Sequence, residues 1–358
     1  MKINSIKCRK HDLRLSRPYT IAFMKIDSVE SGIVEISSDT GLTGYGAFNP
    51  AYEVIGETID QALNCLTDDH LGQFIGEEIS DLNSFNTILA EIRQQFSDSA
   101  SARIGLEIAI YDLFTQSLRL PLSVFLGQKI FSMPTSITVG ISSLSETLAE
   151  AEEYIGRKFR ILKVKVGISP EEDVERLVKI RERFGNTVGL IVDMNQGYGF
   201  EKLDWFLGQT KSLDVRLIEQ PFKRGEEFLL RTLEKKTRDL VAADESLISS
   251  IDASELVKPP RACGFFNIKL MKCGGVNEAL NIAEIAGKGD IGLMWGCNSE
   301  SIISITAALH IAFSCGNTKF IDLDGSFDLE DDVVKGGFIL KDGIMSIASE
   351  FGLGVSPV

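Results

Sequence analysis

Histidine is scarce in this sequence of 358 residues, and cysteine never occurs in a paired motif. The 3 histidines, His11, His70 and His310, lie far apart in the chain, so we do not expect a histidine-rich zinc site. The 6 cysteines are scattered, and no two of them are separated by two residues. We therefore predict free thiols in a reducing cytoplasm.

Positive charge is also in short supply, since 37 lysines and arginines face 51 aspartates and glutamates and leave a net charge of −14. This balance argues against nucleic acid or an anionic membrane as a partner. The sequence has no glycine-rich phosphate-binding loop and no apolar run long enough to cross a bilayer. A hydrophobic content of 44% with 25% charged residues is typical of a globular protein.

Two hydrophobic patterns divide the chain. Up to residue 50, stretches with strand character alternate with turns and a predicted loop over 16–27, and a helical period follows up to about residue 126. From residue 133 onward, eight strand candidates alternate with helical stretches, which predicts an α/β fold of the (β/α)8 barrel type. We expect an N-terminal α+β domain over 1–125, the barrel over 126–324, and a C-terminal segment over 325–358 that returns to the first domain.

The second strand candidate of the barrel, residues 160–167, carries Lys163 and Lys165 two positions apart and therefore on one face. Two ammonium groups on one face of an apolar strand repel each other, and burial disfavours their charge. Both effects are expected to lower a lysine pKa toward the range of a base. The alternative is an edge strand with its lysines in water.

Three carboxylates follow at intervals of about one β/α repeat, because Asp193, Glu219 and Asp244 end the third, fourth and fifth strand candidates. Barrel enzymes carry their chemistry at the carboxyl ends of the strands, so we expect these carboxylates to converge. Oxygen ligands without histidine or cysteine suit Mg²⁺. We predict that the three hold one Mg²⁺ per subunit; the alternative is that each is a structural group with its own hydrogen bonds.

Lys269 ends the sixth strand candidate, so the metal-bearing strands separate it from Lys165. A ligand on the metal would have one lysine on each face, which suits removing a proton from one face of a carbon and returning it to the other. We predict Lys165 and Lys269 as the two acid/base residues, with Lys163 and the metal stabilising an enediolate formed α to a carboxylate. In the alternative, Lys269 is an ion-pair partner of Asp244 or Glu245.

The sequence resembles the enolase superfamily, and within it the muconate-lactonizing-enzyme subgroup, in five places: Lys163-Val-Lys165, Asp193-Met-Asn195, Glu219-Gln-Pro221, Asp244-Glu245 and Lys269. The resemblance covers essentially the whole chain. It implies an N-terminal capping domain over a TIM-like barrel, a magnesium site, and support of the metal ligands by Asn195 and Glu245. Branches of the superfamily that use a histidine base are disfavoured, since no histidine ends the sixth or seventh strand candidate.

Asp322 and Asp324, at the end of the eighth strand candidate, narrow the resemblance to dipeptide epimerases. In those enzymes such a pair holds the free α-ammonium group of the substrate, and two carboxylates on one face suit an ammonium group physically. A turn or capping role beside Gly325 is the alternative. By the same resemblance, Thr138 touches the peptide backbone. The implied activity is Mg²⁺-dependent 1,1-proton transfer at the Cα of the C-terminal residue of a dipeptide.

The sequence departs from Ala-Glu epimerases in the loop after the first strand. Those enzymes carry an arginine there, whereas this chain has Met24, or Lys25 if the alignment shifts by one residue. We predict an apolar side-chain pocket and a preference for hydrophobic dipeptides over Ala-Glu. The residues that we place in this pocket or beside it are Ile21, Phe23, Met24, Ile55, Cys297 and Asn298.

Two other functions fit parts of the sequence. N-acylamino acid racemases, o-succinylbenzoate synthases and muconate cycloisomerases would keep the site, but their substrates lack a free ammonium group for Asp322 and Asp324. A non-catalytic metal-binding or small-molecule-binding protein would be expected to have lost a base or a ligand, and none is missing. We further expect a cytoplasmic homo-oligomer that binds a small-molecule dipeptide and neither nucleic acid nor membrane.

Overall fold

The computed structural model describes residues 1–21 and 24–358, with the side chains of residues 1–17 and 28–358. The chain begins with a three-stranded antiparallel sheet of β1 (Ile3–Ile21), β2 (Met24–Ser38) and β3 (Thr43–Phe48). The loop predicted over 16–27 is wrong, because both long strands extend into it. The pairing register changes between Arg14 and Tyr19, where Pro18 has no N–H to donate to the ladder.

Helices complete the N-terminal part: α1 (Tyr52–Ile55), α2 (Ile59–Cys65), α3 (Asp68–Gly72), α4 (Leu82–Gln95), α5 (Ala100–Ser117) and α6 (Leu122–Phe125). As its apolar pattern predicts, α5 is buried nearly all round, and it packs against β3. Glycine permits this close approach, because a Cβ at Gly44 would lie 2.1 Å from the carbonyl oxygen of Ala109.

A short strand, β4 (Ser132–Pro134), leads into a sheet of eight parallel strands. These are β5 (Ser136–Val139), β6 (Ile161–Lys165), β7 (Gly189–Asp193), β8 (Val215–Glu219), β9 (Val241–Ala243), β10 (Phe265–Ile268), β11 (Gly292–Gly296) and β12 (Thr318–Asp322). Neighbours in the sheet follow chain order, and a bridge between Thr135 and Ile321 brings its two edges together. The predicted barrel is therefore confirmed.

The helices that follow the barrel strands are α7 (Leu144–Gly156), α8 (Pro170–Phe184), α9 (Phe200–Thr210), α10 (Glu227–Leu230), α11 (Lys235–Arg238), α12 (Ser250–Leu256), α13 (Leu270–Cys273), α14 (Val276–Lys288) and α15 (Ile302–Ser314). An apolar layer fills the barrel interior and consists of Ile161, Ile191, Leu217, Ala242 and Met294. Because side chains alternate along a strand, polar residues two positions further on stand above this layer.

The C-terminal segment forms four short strands: β13 (Val334–Gly336), β14 (Phe338–Lys341), β15 (Ile344–Ile347) and β16 (Val355–Pro357). It reaches both halves of the molecule, because β15 pairs with β4 and the amide of Leu353 donates to Asp112 Oδ1 of α5 at 2.7 Å. Asp112 Oδ2 accepts the amide of Tyr45 in β3 at 2.8 Å, so this one carboxylate joins three segments. In the described part of the chain, no helix is long and apolar enough to cross a membrane.

Candidate active site

The polar residues that end the barrel strands come together through the strand register. Lys165 of β6 pairs with Asp193 of β7, which pairs with Glu219 of β8. Glu219 pairs in turn with Ala242 of β9, so Asp244, two residues beyond Ala242, lies on the same side of the sheet. The predicted convergence of the strand-end residues therefore follows from ordinary strand geometry.

Lys163 lies among the carboxylates and is 2% exposed. Its Nζ lies 3.0 Å from Asp193 Oδ2, 3.0 Å from Glu219 Oε2 and 2.7 Å from Asp322 Oδ2. The alternative of an edge strand in water is wrong, because β6 lies between β5 and β7. The expectation that the pKa of Lys163 is lowered is also wrong. Burial lowers this pKa, but the three carboxylates together raise it to well above its ordinary value.

The two predicted acid/base lysines contact different carboxylates. Lys165 Nζ donates to Asp193 Oδ2 at 2.7 Å and to Asn195 Oδ1 at 2.8 Å. Lys269 directly follows β10, and its Nζ lies 3.0 Å from Asp244 Oδ2, so the ion pair considered as an alternative is present. Burial and the charge of Lys163 lower the pKa of Lys269, but the charges of Asp244, Glu219 and Asp193 together raise it above its ordinary value.

The carboxylates lie close enough together to influence one another's titration. Burial and the charge of Asp193 raise the pKa of Glu219. Burial would also raise the pKa of Asp193 and Asp244, but the neighbouring lysines hold both below their ordinary value. Within the described residues, no three acidic, histidine or cysteine side chains are arranged as a metal site, because lysine ammonium groups lie between the carboxylates.

One oxygen of this cluster accepts no hydrogen bond in the described part of the chain, although the Lys163 ammonium lies 3.0 Å from it. Glu219 Oε1 accepts a hydrogen bond from Asn267 Nδ2 at 2.8 Å, whereas Glu219 Oε2 is buried and accepts no hydrogen bond from any described residue. A buried carboxylate oxygen of this kind, in a donor set made only of carboxylates, fits a hard divalent cation. Asn195 and Glu245, the predicted supporting residues, contact each other, with Asn195 Nδ2 donating to Glu245 Oε1 at 3.2 Å.

Asp322, the last residue of β12, and Asp324, two residues beyond it, differ in their surroundings. Asp322 has both oxygens engaged, one by Lys163 and the other by the Ser136 hydroxyl at 2.5 Å. Asp324 is half-buried, and its Oδ2 accepts the backbone amide of Thr138 at 2.7 Å. Burial and the nearby charge of Asp322 raise the pKa of Asp324 to about 6. Asp324 is thus the freer of the two carboxylates predicted to bind an ammonium group.

Of the residues predicted to line the side-chain pocket, the structure describes the side chains of Ile55, Cys297 and Asn298. Cys297 Sγ lies 3.2 Å from the carbonyl oxygen of Asp322, and the amide of Asn298 donates to Glu300 Oε1 at 2.8 Å. Ile55 lines a hollow of about 330 Å³ among residues of the N-terminal part. Phe23 and the side chains of Ile21, Met24 and Lys25 lie outside the described residues, so the composition of the pocket stays a prediction.

Sequence reasoning missed three residues that support the predicted site: Ser136, Asn267 and Lys272. Lys272 Nζ donates to the backbone oxygen of Asp244 at 2.6 Å and also contacts its carboxylate. The strand period could have revealed Asn267, which lies two residues before Lys269 and shares its face. No such signal marks Lys272, because it lies on α13 rather than on a strand.

The fold and the site together define a barrel enzyme in which two lysines flank a group of buried carboxylates. A family model described as the mandelate racemase / muconate lactonizing enzyme N-terminal domain matches residues 4–127. A second, described as enolase C-terminal domain-like, matches residues 146–358. The chain belongs to this mandelate racemase/muconate lactonizing enzyme family of the enolase superfamily.

Named relatives of the whole chain are dipeptide epimerases. The chain is 45% identical to the L-Lys-D/L-Arg epimerase of Desulforapulum autotrophicum, with 100% of both chains covered. It is 36% identical to the hydrophobic dipeptide epimerase of Enterococcus faecalis, over 99% of this chain and 100% of that one. The structure of the dipeptide epimerase of Methylococcus capsulatus with Mg and L-Arg-D-Lys superimposes with a TM-score of 0.95 at 44% identity, covering 99% of each chain.

Proposed function

We propose that the protein is a Mg²⁺-dependent dipeptide epimerase that inverts the Cα of the C-terminal residue by 1,1-proton transfer. The observation that carries this proposal is the placement of two lysines about a buried acidic cluster. Lys165 belongs to β6 and Lys269 follows β10, with β7, β8 and β9 between them in the sheet. A carbon held above the intervening strands would therefore meet one lysine on each face.

In this proposal Asp193, Glu219 and Asp244 hold the magnesium ion. The donor set is all oxygen, and the buried Oε2 of Glu219 accepts no hydrogen bond from the described residues, although Lys163 Nζ lies 3.0 Å from it. When bound, the ion supplies positive charge that favours loss of the α-proton of a carboxylate and offsets the acidic charge that raises the pKa of Lys269. Asn195, Glu245 and Asn267 orient the ligands.

The protein residues provide the proton transfers and the substrate contacts. Each of Lys165 and Lys269 removes the proton from the face that it meets and returns one when the other lysine has acted first. Asp193 and Asn195 hold the Lys165 ammonium by hydrogen bonds of 2.7 and 2.8 Å, which fixes its direction. Asp324 receives the α-ammonium group of the dipeptide, with Asp322 adding negative charge behind it.

The proposed substrates are dipeptides with cationic side chains. The 45% identical relative is an L-Lys-D/L-Arg epimerase, whereas the hydrophobic dipeptide epimerase is 36% identical. The net charge of −14 also favours the approach of cationic ligands over anionic ones. Hydrophobic dipeptides, the prediction from Met24 and its neighbours, are the second candidate because of that second relative. The predicted domain boundaries, cytoplasmic location and homo-oligomeric state remain predictions.

Deuterium exchange tests the proposal. The protein is incubated with Mg²⁺ in D₂O and with Lys-Arg, Leu-Tyr and Ala-Glu peptides of both C-terminal configurations, and mass spectrometry follows deuterium at each Cα. We expect exchange at the C-terminal residue, fastest for Lys-Arg, and none after chelation with EDTA. N-acetylated peptides serve as the control, since they keep the reacting carbon but lose the ammonium group.

The outcomes separate the candidates. Fastest exchange on Leu-Tyr would restore the hydrophobic preference, and equal exchange of acetylated and free peptides would point to an N-acylamino acid racemase. Absence of exchange on every peptide, with calorimetry showing bound Mg²⁺, would contradict the epimerase function and favour a binding protein.

A further inference from the structure

The turn that follows Lys269 is held from another part of the molecule. Lys269 is the residue that precedes α13, a helix of one turn, and Gly274 and Gly275 then connect α13 to α14. The start of α14 has no capping side chain of its own, since Gly275 occupies the N-cap position. The first amides of a helix need acceptors, and here they are supplied by α5 of the N-terminal part.

Glu107 of α5 provides the missing cap. Its side chain is fully buried, and its Oε2 accepts the backbone amide of Asn277 at 3.2 Å. The negative carboxylate faces the positive end of the α14 dipole, which is the favourable orientation. Gly275 leaves room for this contact, because a Cβ there would lie 2.7 Å from Glu107 Oε2.

Arg103, one helical turn before Glu107 on α5, caps the preceding helix. Its Nε donates to the carbonyl oxygen of Gly274, the C-cap residue of α13, at 3.1 Å. A cation at the carboxyl end of a helix also has the favourable sign. Arg103 and Glu107 therefore contact the two sides of one glycine turn. The positive charge lies at the carboxyl end of α13 and the negative charge at the amino end of α14, which is favourable at both ends.

We propose that Arg103 and Glu107 form an inter-domain clamp that positions Lys269 for proton transfer, an inference that rests on the proposed function. Neither residue touches the reacting atoms. They act through the backbone of α13, whose single turn separates Lys269 from Gly274. Among the described residues, Lys165 is held within the barrel, because its ammonium donates to Asp193 and Asn195 and its backbone oxygen accepts from Arg176 of α8.

The clamp predicts an asymmetric defect. In Glu107→Leu, the glycine turn after α13 loses its contact on the α14 side and is held by Arg103 alone. Displacement of a catalytic group by about 1 Å can cost on the order of 100-fold in rate. We expect deuterium exchange that depends on Lys269 to fall at least about tenfold, and exchange that depends on Lys165 to change less than about twofold. The two exchange rates are measured separately by starting from each C-terminal epimer. The rate that Lys269→Ala abolishes is assigned to Lys269, and the other to Lys165.

Asp112→Leu is the matched control. Asp112 is also a buried carboxylate of α5 that accepts two backbone amides, but its partners are Tyr45 and Leu353 rather than the turn after Lys269. A merely structural role for Glu107 would make the two variants alike, with both exchange rates falling together. Glu107→Gln, which keeps an oxygen at the same place, should recover most of the asymmetric loss.

A second measurement does not depend on activity. Amide hydrogen exchange by mass spectrometry should show faster exchange over residues 270–280 in Glu107→Leu, and over 43–48 and 350–355 in Asp112→Leu. Unchanged protection of 270–280 would overturn the clamp even if the wild type epimerises dipeptides. A wild type without epimerase activity but with the expected loss of protection would instead overturn the proposed function and leave the clamp a structural one.

Discussion

His310 makes the stability of this protein dependent on pH in a way that can be calculated. It lies on α15, is fully buried, and accepts the backbone amide of Ser123 through Nδ1 at 2.9 Å, so it links the barrel to α6 of the N-terminal part. Burial lowers the pKa of His310 from 6.5 to about 4. The folded protein therefore contains neutral imidazole at a pH where the unfolded chain has begun to bind a proton.

The sign and size follow from proton linkage. Between pH 6.5 and about 4 the unfolded state binds more protons at His310 than the folded state does. The contribution of His310 to stability is therefore present above this pH range and is lost as the pH falls through it. A shift of about 2.5 units at 1.36 kcal/mol per unit gives a loss of about 3 kcal/mol between pH 7 and pH 4. That is a large part of the stability of an ordinary domain.

Urea unfolding of the wild type and His310→Asn at several pH values tests this. Asparagine keeps an oxygen acceptor near Nδ1 for the Ser123 amide but does not titrate, and the comparison cancels carboxyl groups such as Asp112, whose pKa burial raises to about 6. We expect the variant to be less stable at pH 7 and to gain about 3 kcal/mol relative to the wild type by pH 4. Parallel stability curves would refute the reasoning, as would an NMR titration that finds the His310 midpoint near 6.5.

Three further predictions concern the chemistry. Lys165→Ala and Lys269→Ala should each lower deuterium exchange at least about 100-fold for one C-terminal epimer, and for opposite epimers, since each residue serves one face; equal losses for both epimers would contradict the two-base assignment. Asp193→Asn should weaken Mg²⁺ binding at least about tenfold by calorimetry, and unchanged affinity would remove it from the ligand set. Asp324→Asn should lower kcat/KM about tenfold for free dipeptides but not for acetylated ones, and an equal loss on both would return Asp324 to a structural role.

The barrel and the strand-end residues could be predicted from sequence because both follow from local periods. Alternation along strands places Lys163, Lys165 and Asp193 on the interior faces, and a repeat of about 25 residues brings successive strand ends to one mouth. The N-terminal hairpin could not be predicted in the same way. The pairing of its two strands continues past Pro18 through a change of register. Turn-forming residues such as proline suggest a loop in the sequence whether or not strand pairing continues around them.

The pKa of Lys163 was predicted in the wrong direction for a physical reason. From sequence, the repulsion between Lys163 and Lys165 and their burial were evident, and both lower a pKa. Three carboxylates converge on Lys163 in the folded barrel, and their attraction outweighs both effects. The net effect of opposing charges on a pKa depends on distances between strands. The residue pattern within one strand does not give those distances. Lys272 was missed for the same reason, because its contact with Asp244 crosses from α13 to the loop after β9.

Gly275 offers a test of the link between α5 and Lys269 that changes no charge. A Cβ at this position would lie 2.7 Å from Glu107 Oε2, too close for both to stay in place. We expect Gly275→Ala to push the carboxylate away from the Asn277 amide and to slow the Lys269-dependent exchange at least about tenfold, as Glu107→Leu does. Gly287→Ala is the control on the same helix, because its Cβ would meet an ordinary contact at 3.8 Å. If Gly275→Ala left both exchange rates unchanged, the turn would tolerate loss of its cap and Lys269 would be positioned by Asp244 alone.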